Sequence, residues 1–195
     1  MNVLLLGPGD SPLADYLRHA GETVETLECA LSAPPPADFL ISYGYRHVVP
    51  LSITSAYRGR AINLHISLLP WNRGADPNFW SFLEGSPKGV TIHELDEGVD
   101  TGPVLAQAAC SFQGAQTLRT SYETLHARIR SLFAETWPAI RQGGMTPQAQ
   151  TGVGTFHRLR DKDRFAALLS RGWDTPVDEI ERYGIAQGLR LTALP

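Results

Sequence analysis

The sequence predicts an α/β fold: an open, mainly parallel sheet with flanking helices, Rossmann-like in outline, followed by a short helical tail. Three observations point there. Apolar runs of strand length alternate with segments of helical period. A glycine-bearing turn, Gly7-Pro8-Gly9-Asp10-Ser11, follows the first run. Polar residues with reactive side chains stand at the end of a later run, where open sheets of this kind present their ligand sites.

The elements follow in order. Asn2 to Leu6 reads as a buried strand. Asp10 or Ser11 is placed to cap a helix that runs to about Ala20 and stops at Gly21. Thr23–Leu27 is a second strand. Pro34-Pro35-Pro36 marks a loop, because consecutive prolines cannot pair in a sheet. Phe39–Tyr43 and Ala61–Leu64 are strands, with His65 at the carboxyl end of the latter. Asn78–Glu84 is a helix closed by Gly85. Gly89–Leu95 and Val104–Cys110 are strands flanking the Asp96–Gly102 turn. Leu118, Tyr122, Leu125, Ile129, Leu132, Phe133 and Trp137 recur at steps of three and four, the stripe of an amphipathic helix. Pro138 is expected to end or kink it. Two further helices are expected near Lys162–Arg171 and Asp178–Ala186.

Composition bounds the function. The 195 residues carry 43% hydrophobic and 19% charged side chains with a net charge of -3, which describes a globular domain without a nucleic-acid surface. Cys29 and Cys110 belong to no metal-ligand spacing, so no structural zinc is expected, and both thiols are expected to be buried and inert. The apolar run at the N-terminus lacks a basic flank, and no run is long enough to cross a bilayer. A cytoplasmic protein with no membrane contact is the expectation.

The chemistry concentrates at Asn63, His65 and Asp100. An amide can donate to a carbonyl oxygen as that oxygen gains charge. An imidazole can move a proton near neutral pH. A carboxylate can orient the imidazole and stabilise its cation. Together they suffice for acyl transfer to an amine. Each also has a structural use: Asn63 in a turn, His65 at a strand end, Asp100 as a turn cap. By strand alternation His93 shares a face with Thr91 and Leu95, where it either lines the site or packs in the sheet. Gly7-Pro8-Gly9 lacks the third glycine of a dinucleotide fingerprint.

Asn63-Leu64-His65, Ser67-Leu68-Leu69-Pro70, Arg73-Gly74, Gly89-Val90-Thr91-Ile92-His93 and Asp96-Glu97-Gly98-Val99-Asp100-Thr101-Gly102 together resemble the folate-dependent formyltransferases. Residues 38–109 carry the match closely. The resemblance implies a formyltransferase fold; the change of character after Gly143-Gly144 divides the chain into a catalytic domain expected over residues 1–145 and an extension over 146–195 packed on it. It implies 10-formyltetrahydrofolate as co-substrate, no metal, and Asn63, His65 and Asp100 as the catalytic residues. Folate contacts would come from Tyr43, Tyr45, Arg46, His47, Val48 and Val49, and from the turn at Asp96, Gly98 and Val99. Trp71, Arg73 and Asp76 would meet the acceptor.

Departures narrow the acceptor. Ile66 stands where the family often has proline. The Gly7–Ser11 turn is a poor copy of the phosphate loop of purine-pathway members, which disfavours a ribonucleotide. Initiator-tRNA members carry a further C-terminal domain and a basic surface, and this chain is expected to lack both. The segment Leu69–Trp80 and the tail Gly152–His157 with Asp161 and Asp163 are most similar to two subgroups. These are the formylation domains of nonribosomal peptide synthetases of the linear gramicidin type and the small sugar N-formyltransferases. The expected partner is a small or carrier-bound primary amine, with a homodimer or a synthetase module as possible settings. Rival readings are 10-formyltetrahydrofolate hydrolysis and a nucleotide-binding module without chemistry.

Overall fold

Alternation of strand and helix resolves, in the computed structural model, into eight strands and five α-helices among the described residues, 1–191. In chain order these are β1 (Asn2–Leu6), α1 (Pro12–His19), β2 (Thr23–Leu27), β3 (Phe39–Ser42), α2 (Leu51–Ala56), β4 (Ala61–His65), β5 (Arg73–Gly74), α3 (Pro77–Glu84), β6 (Gly89–Glu94), β7 (Val104–Ala109), α4 (Leu118–Ile140), β8 (Phe156–His157) and α5 (Val177–Ala186). Six strands form one sheet in the order β2-β1-β3-β4-β6-β7. The β1–β2, β1–β3 and β3–β4 pairs are parallel and β4–β6 is antiparallel. The sheet is thus mainly parallel, and the chain changes direction of travel between β1 and β3.

Two compact units divide the chain. The first comprises Met1–His65, Thr91–Ala106 and Arg130–Gln150, and the second comprises Ile66–Val90, Gln107–Ile129 and Thr151–Pro195.

In the first unit, Ser11 caps α1 by accepting from Leu13 N at 3.3 Å, and Pro12 supplies the preset φ of the first turn. Leu4, Leu6, Leu40, Ile53, Tyr57 and Ala61 close the core on one side of the strands. Gly7 has φ 139°, and a Cβ there would sit 2.0 Å from Tyr43 O, so glycine lets β1 and β3 approach closely at their carboxyl ends. In the second unit, Phe79, Trp80, Phe82 and Leu83 of α3 pack with Leu118, Phe165, Val177 and Ile180.

Four expectations change. Pro138 does not stop α4, which runs to Ile140. The carbonyl that the proline ring leaves without a donor, Ala134 O, accepts from Tyr16 Oη at 3.1 Å, so the helix loses no partner there. Helix α2 was not anticipated, since six residues behind Pro50 give no periodic signal. The helix expected near Lys162–Arg171 is a 3₁₀ segment at Leu159–Phe165. Cys29 is exposed and Cys110 half-buried, so neither is a core thiol. Burial still pushes the Cys110 thiol up, against the opposing charge of Arg128. Among the described residues no helix is long and apolar enough to cross a membrane.

Candidate active site

Strand β4 presents Asn63 and His65 on one face, two residues apart at its carboxyl end. Antiparallel pairing places His93 opposite Asn63 and Thr91 opposite His65, so both β6 residues share that face. After β6 the chain turns through Asp96–Gly102 and returns Asp100 to the same spot. The turn is built locally: Asp96 Oδ1 accepts from Gly98 N at 3.1 Å and from Thr101 Oγ1 at 2.7 Å. Asp100 adopts a left-handed backbone at φ 54°, which aspartate tolerates better than most residues. A Cβ on Gly102 would lie 1.8 Å from Glu94 O, so only glycine lets the turn close against β6. The amide of Gln150 donates to both Asp100 O and Gly102 O, each at 2.8 Å, and clamps the end of the turn.

The Asp100 carboxylate is the hub. Asn63 Nδ2 donates to its Oδ1 at 3.0 Å. His93 Nε2 lies 3.3 Å from the same oxygen. His65 Nδ1 lies 3.6 Å from Oδ2, an ion-pair distance longer than a hydrogen bond. The side chains of His65 and Asp100 are 8% and 10% exposed and that of His93 is 1% exposed, so the charge interactions run with little water between them.

Tautomers follow from the partners. His93 Nδ1 lies 2.8 Å from Glu94 O, and a carbonyl only accepts, so Nδ1 carries the proton. In the neutral ring Nε2 is therefore an acceptor, and Asn63 Nδ2 donates to it at 3.3 Å. Both amide protons of Asn63 are then in use. Glu94 itself has its carboxyl pushed up by burial, with Arg58 opposing.

The structure brings Asn63, His65 and Asp100 together and adds His93 and Gln150. His93 was legible only as one of two alternatives. Gln150 carries no sequence signal, since an amide in an aperiodic tail resembles any surface residue.

The residues expected to meet folate divide by burial. Tyr43 is buried and its hydroxyl accepts from Arg130 Nη1 at 3.2 Å; Val49 joins the core. Tyr45 Oη donates to Cys29 O at 2.8 Å, and burial pushes its phenol up. Arg46, His47 and Val48 are exposed, as is Val99 in the turn. Val48, Leu51 and Val99 are the large hydrophobic side chains that stay exposed in this unit besides Met1.

Trp71, Arg73 and Asp76 lie in the second unit. Trp71 O accepts from Ser67 Oγ at 2.6 Å. Arg73 sits on β5, which pairs in parallel with β8. Asp76 precedes α3 and is ion-paired with Lys162. Among the described residues no group of three or more His, Cys, Asp and Glu is arranged to hold a metal.

Comparison with known proteins follows the same lines. The formyl transferase family model matches residues 20–136. Among solved structures, the chain is similar to the formyltransferase PseJ from Anoxybacillus kamchatkensis, solved in complex with UDP-4,6-dideoxy-4-formamido-L-AltNAc and tetrahydrofolate. The TM-score is 0.90 and the identity 45%, over 94% of this chain and 100% of that one. Among curated relatives, a methionyl-tRNA formyltransferase of Thermodesulfovibrio yellowstonii is 38% identical over 65% of this chain and 41% of its own length. A dTDP-4-amino-4,6-dideoxyglucose formyltransferase of Mycobacterium bovis is 30% identical over 80% of this chain and 62% of its own. The matches therefore span about two fifths to three fifths of these curated relatives.

Proposed function

This chain belongs to the formyl transferase family, and on that premise we propose that it moves the formyl group of 10-formyltetrahydrofolate to the primary amine of a nucleotide-linked amino sugar. The observation that carries the chemistry is the single carboxylate, Asp100, shared by Asn63, His65 and His93. The acceptor class rests on the likeness to PseJ, whose bound sugar is a nucleotide-linked formamide.

The residues take the following parts. The co-substrate supplies an activated formyl group. Asn63 donates an amide proton to the formyl oxygen as it gains negative charge. With Nδ1 facing Asp100, His65 keeps the Nε2 lone pair to take a proton from the attacking amine and return it to the departing nitrogen. Asp100 stabilises the imidazolium that forms meanwhile. As the formyl oxygen gains charge, the Asn63 proton that rests on His93 Nε2 turns to it, while Asp100 keeps the other. Val48 and Val99 offer exposed apolar surface on the two segments proposed to meet the pterin.

The test is incubation with 10-formyltetrahydrofolate and a UDP-linked 4-amino sugar, read by mass spectrometry. A product heavier by one formyl group, with release of tetrahydrofolate, is expected. Formate release without formamide would replace the reading with hydrolysis. Transfer to an aminoacyl carrier and not to the sugar nucleotide would replace the acceptor.

A further inference from the structure

The backbone that carries the Asp100 carboxylate is fastened by a residue 50 positions further along the chain. After α4 the chain runs back along the start of β7. Val104 N donates to Gln148 O at 2.7 Å and Gln148 N to Val104 O at 2.8 Å, one bridge of an antiparallel ladder. Carried two residues further, that register sets Gln150 opposite Gly102. There the side chain of Gln150 acts in the manner of a ladder strand. Its Nε2 donates to Asp100 O and to Gly102 O, each at 2.8 Å. A primary amide nitrogen carries two protons, so each carbonyl receives one. All of these residues belong to the first unit, as do Asn63, His65 and His93.

The clamp acts where the turn is least able to hold itself. Two carbonyl oxygens that converge on one point repel each other, and the shared donor keeps both turned the same way. Asp100 holds φ 54°, a backbone region that a side chain enters at a cost. Gly102 is buried against Glu94 O, so water is a poor substitute for the amide. The other end of the turn has its own fastening, since Asp96 Oδ1 accepts from Gly98 N and Thr101 Oγ1. On the site side, Asn63 grips Asp100 Oδ1 at 3.0 Å, while His65 Nδ1 stands 3.6 Å from Oδ2, beyond hydrogen-bond length. The placing of Oδ2 before the imidazole therefore depends on the peptide plane that follows Asp100, and Gln150 holds that plane.

We propose that Gln150 is a positioning residue for formyl transfer, setting through the Asp100 backbone the distance from the Asp100 carboxylate to His65. The proposal rests on the formyl-transfer reading of the site. A misplacement of about 1 Å costs up to about 100-fold in rate, so loss of the clamp should lower kcat roughly 10–100-fold. Folate contacts proposed for the turn lie toward its Asp96 end, which keeps its own hydrogen bonds. The loss should therefore fall on kcat and leave KM for folate within about twofold of wild type.

The test uses the full chain and two substitutions. Gln150→Met keeps the length of the side chain and removes both donors. Gln150→Glu keeps the shape, and its ionised carboxylate only accepts, so it should lower kcat at least as far. A denaturant melt establishes that each variant is folded, and either one suffices for the test. Formamide production is followed with 10-formyltetrahydrofolate and a UDP-linked 4-amino sugar. In an Asp100→Asn background the charge that Gln150 would position is already gone, so Gln150→Met should cost less than about threefold more. A second readout needs no turnover. Asn63 Nδ2 donates to the Asp100 carboxylate, so its side-chain amide signals in a nitrogen-resolved spectrum report where that carboxylate stands. They should shift in both Gln150 variants. Wild-type kcat in a folded variant, a loss confined to KM for folate, or losses that multiply in the Asp100→Asn background would each overturn the proposal. So would Asn63 signals unchanged from wild type. Failure of the formyl-transfer reading looks different: wild-type protein would form no formamide, while the Asn63 signals would still decide whether Gln150 places Asp100.

Discussion

Asp100→Asn separates charge from shape at the hub of the site. Asparagine tolerates the left-handed backbone that residue 100 adopts, so the turn keeps its path. The new amide oxygen can still accept from Asn63. What disappears is the negative charge facing His65 Nδ1 at 3.6 Å. At an effective dielectric of about 20, two unit charges at that distance attract by about 4.6 kcal/mol, a little over three decades in rate if all of it served the imidazolium. Residual water at the 8–10% exposed side chains takes part of that, so turnover should fall roughly 10²–10³-fold, about as far as with His65→Ala. The assay is steady-state formamide production with folate and acceptor varied in turn, and KM for folate should change little. Because the two residues act as a unit, the His65→Ala, Asp100→Asn double variant should be scarcely worse than either alone. If the losses multiplied instead, Asp100 would act independently of His65 through the Asp96–Gly102 turn, and the coupled pair would be refuted.

Other outcomes follow from the same geometry. His93→Leu removes the acceptor for Asn63 and should lower turnover about 10–100-fold, as loss of an outer partner does, with little further effect in an Asn63→Ala background. Gly102→Ala drives a methyl to 1.8 Å from Glu94 O, where contact distances are about 3.3 Å. The forced shift of roughly 1.5 Å should cost about 1–3 kcal/mol in a denaturant melt and at least about 100-fold in turnover. A melt and turnover equal to wild type would show that the turn is not held against β6. Burial raises the Glu94 carboxyl, so its contribution to folding is present at low pH and is lost as pH rises through the folded value. Glu94→Gln should therefore melt higher than wild type at neutral pH, with the gain vanishing in acid; a gain that grows in acid would reverse the sign. Iodoacetamide should label exposed Cys29 well before Cys110, whose thiol burial holds protonated, as peptide mapping would report.

Much of this architecture was legible because it is local. Leu4, Leu5 and Leu6 and Phe39 to Ile41 are contiguous apolar runs, and Ala61, Ile62 and Leu64 form another interrupted by Asn63; short runs of this kind between turn residues are strands. Asn63, His65 and Asp100 were legible as residue types at element ends. The partnership of His93 with Asn63 was not, because strand register is set by pairing between segments 30 residues apart. The same holds for Gln150 and for the two-residue ribbon of β5 and β8, whose only signature is in three dimensions. The stop expected at Pro138, one of its two expected effects, fails for a related reason. Its cost to a helix is local, while the hydroxyl that relieves it comes from Tyr16.

That last bond has a kinetic consequence. It joins residues 118 apart in sequence, so it forms only after α1 and the carboxyl half of α4 have found each other. Until then Ala134 O has no protein donor, and the turn from Trp137 to Ile140 has no anchor at its proline. The end of α4 is therefore the last part of that helix to gain amide protection in a refolding experiment. Arg141 N, which donates to Trp137 O at 2.9 Å, reports its arrival. Replacing Tyr16 with phenylalanine would delay that single signal while leaving the protection of β1 and β3 on schedule.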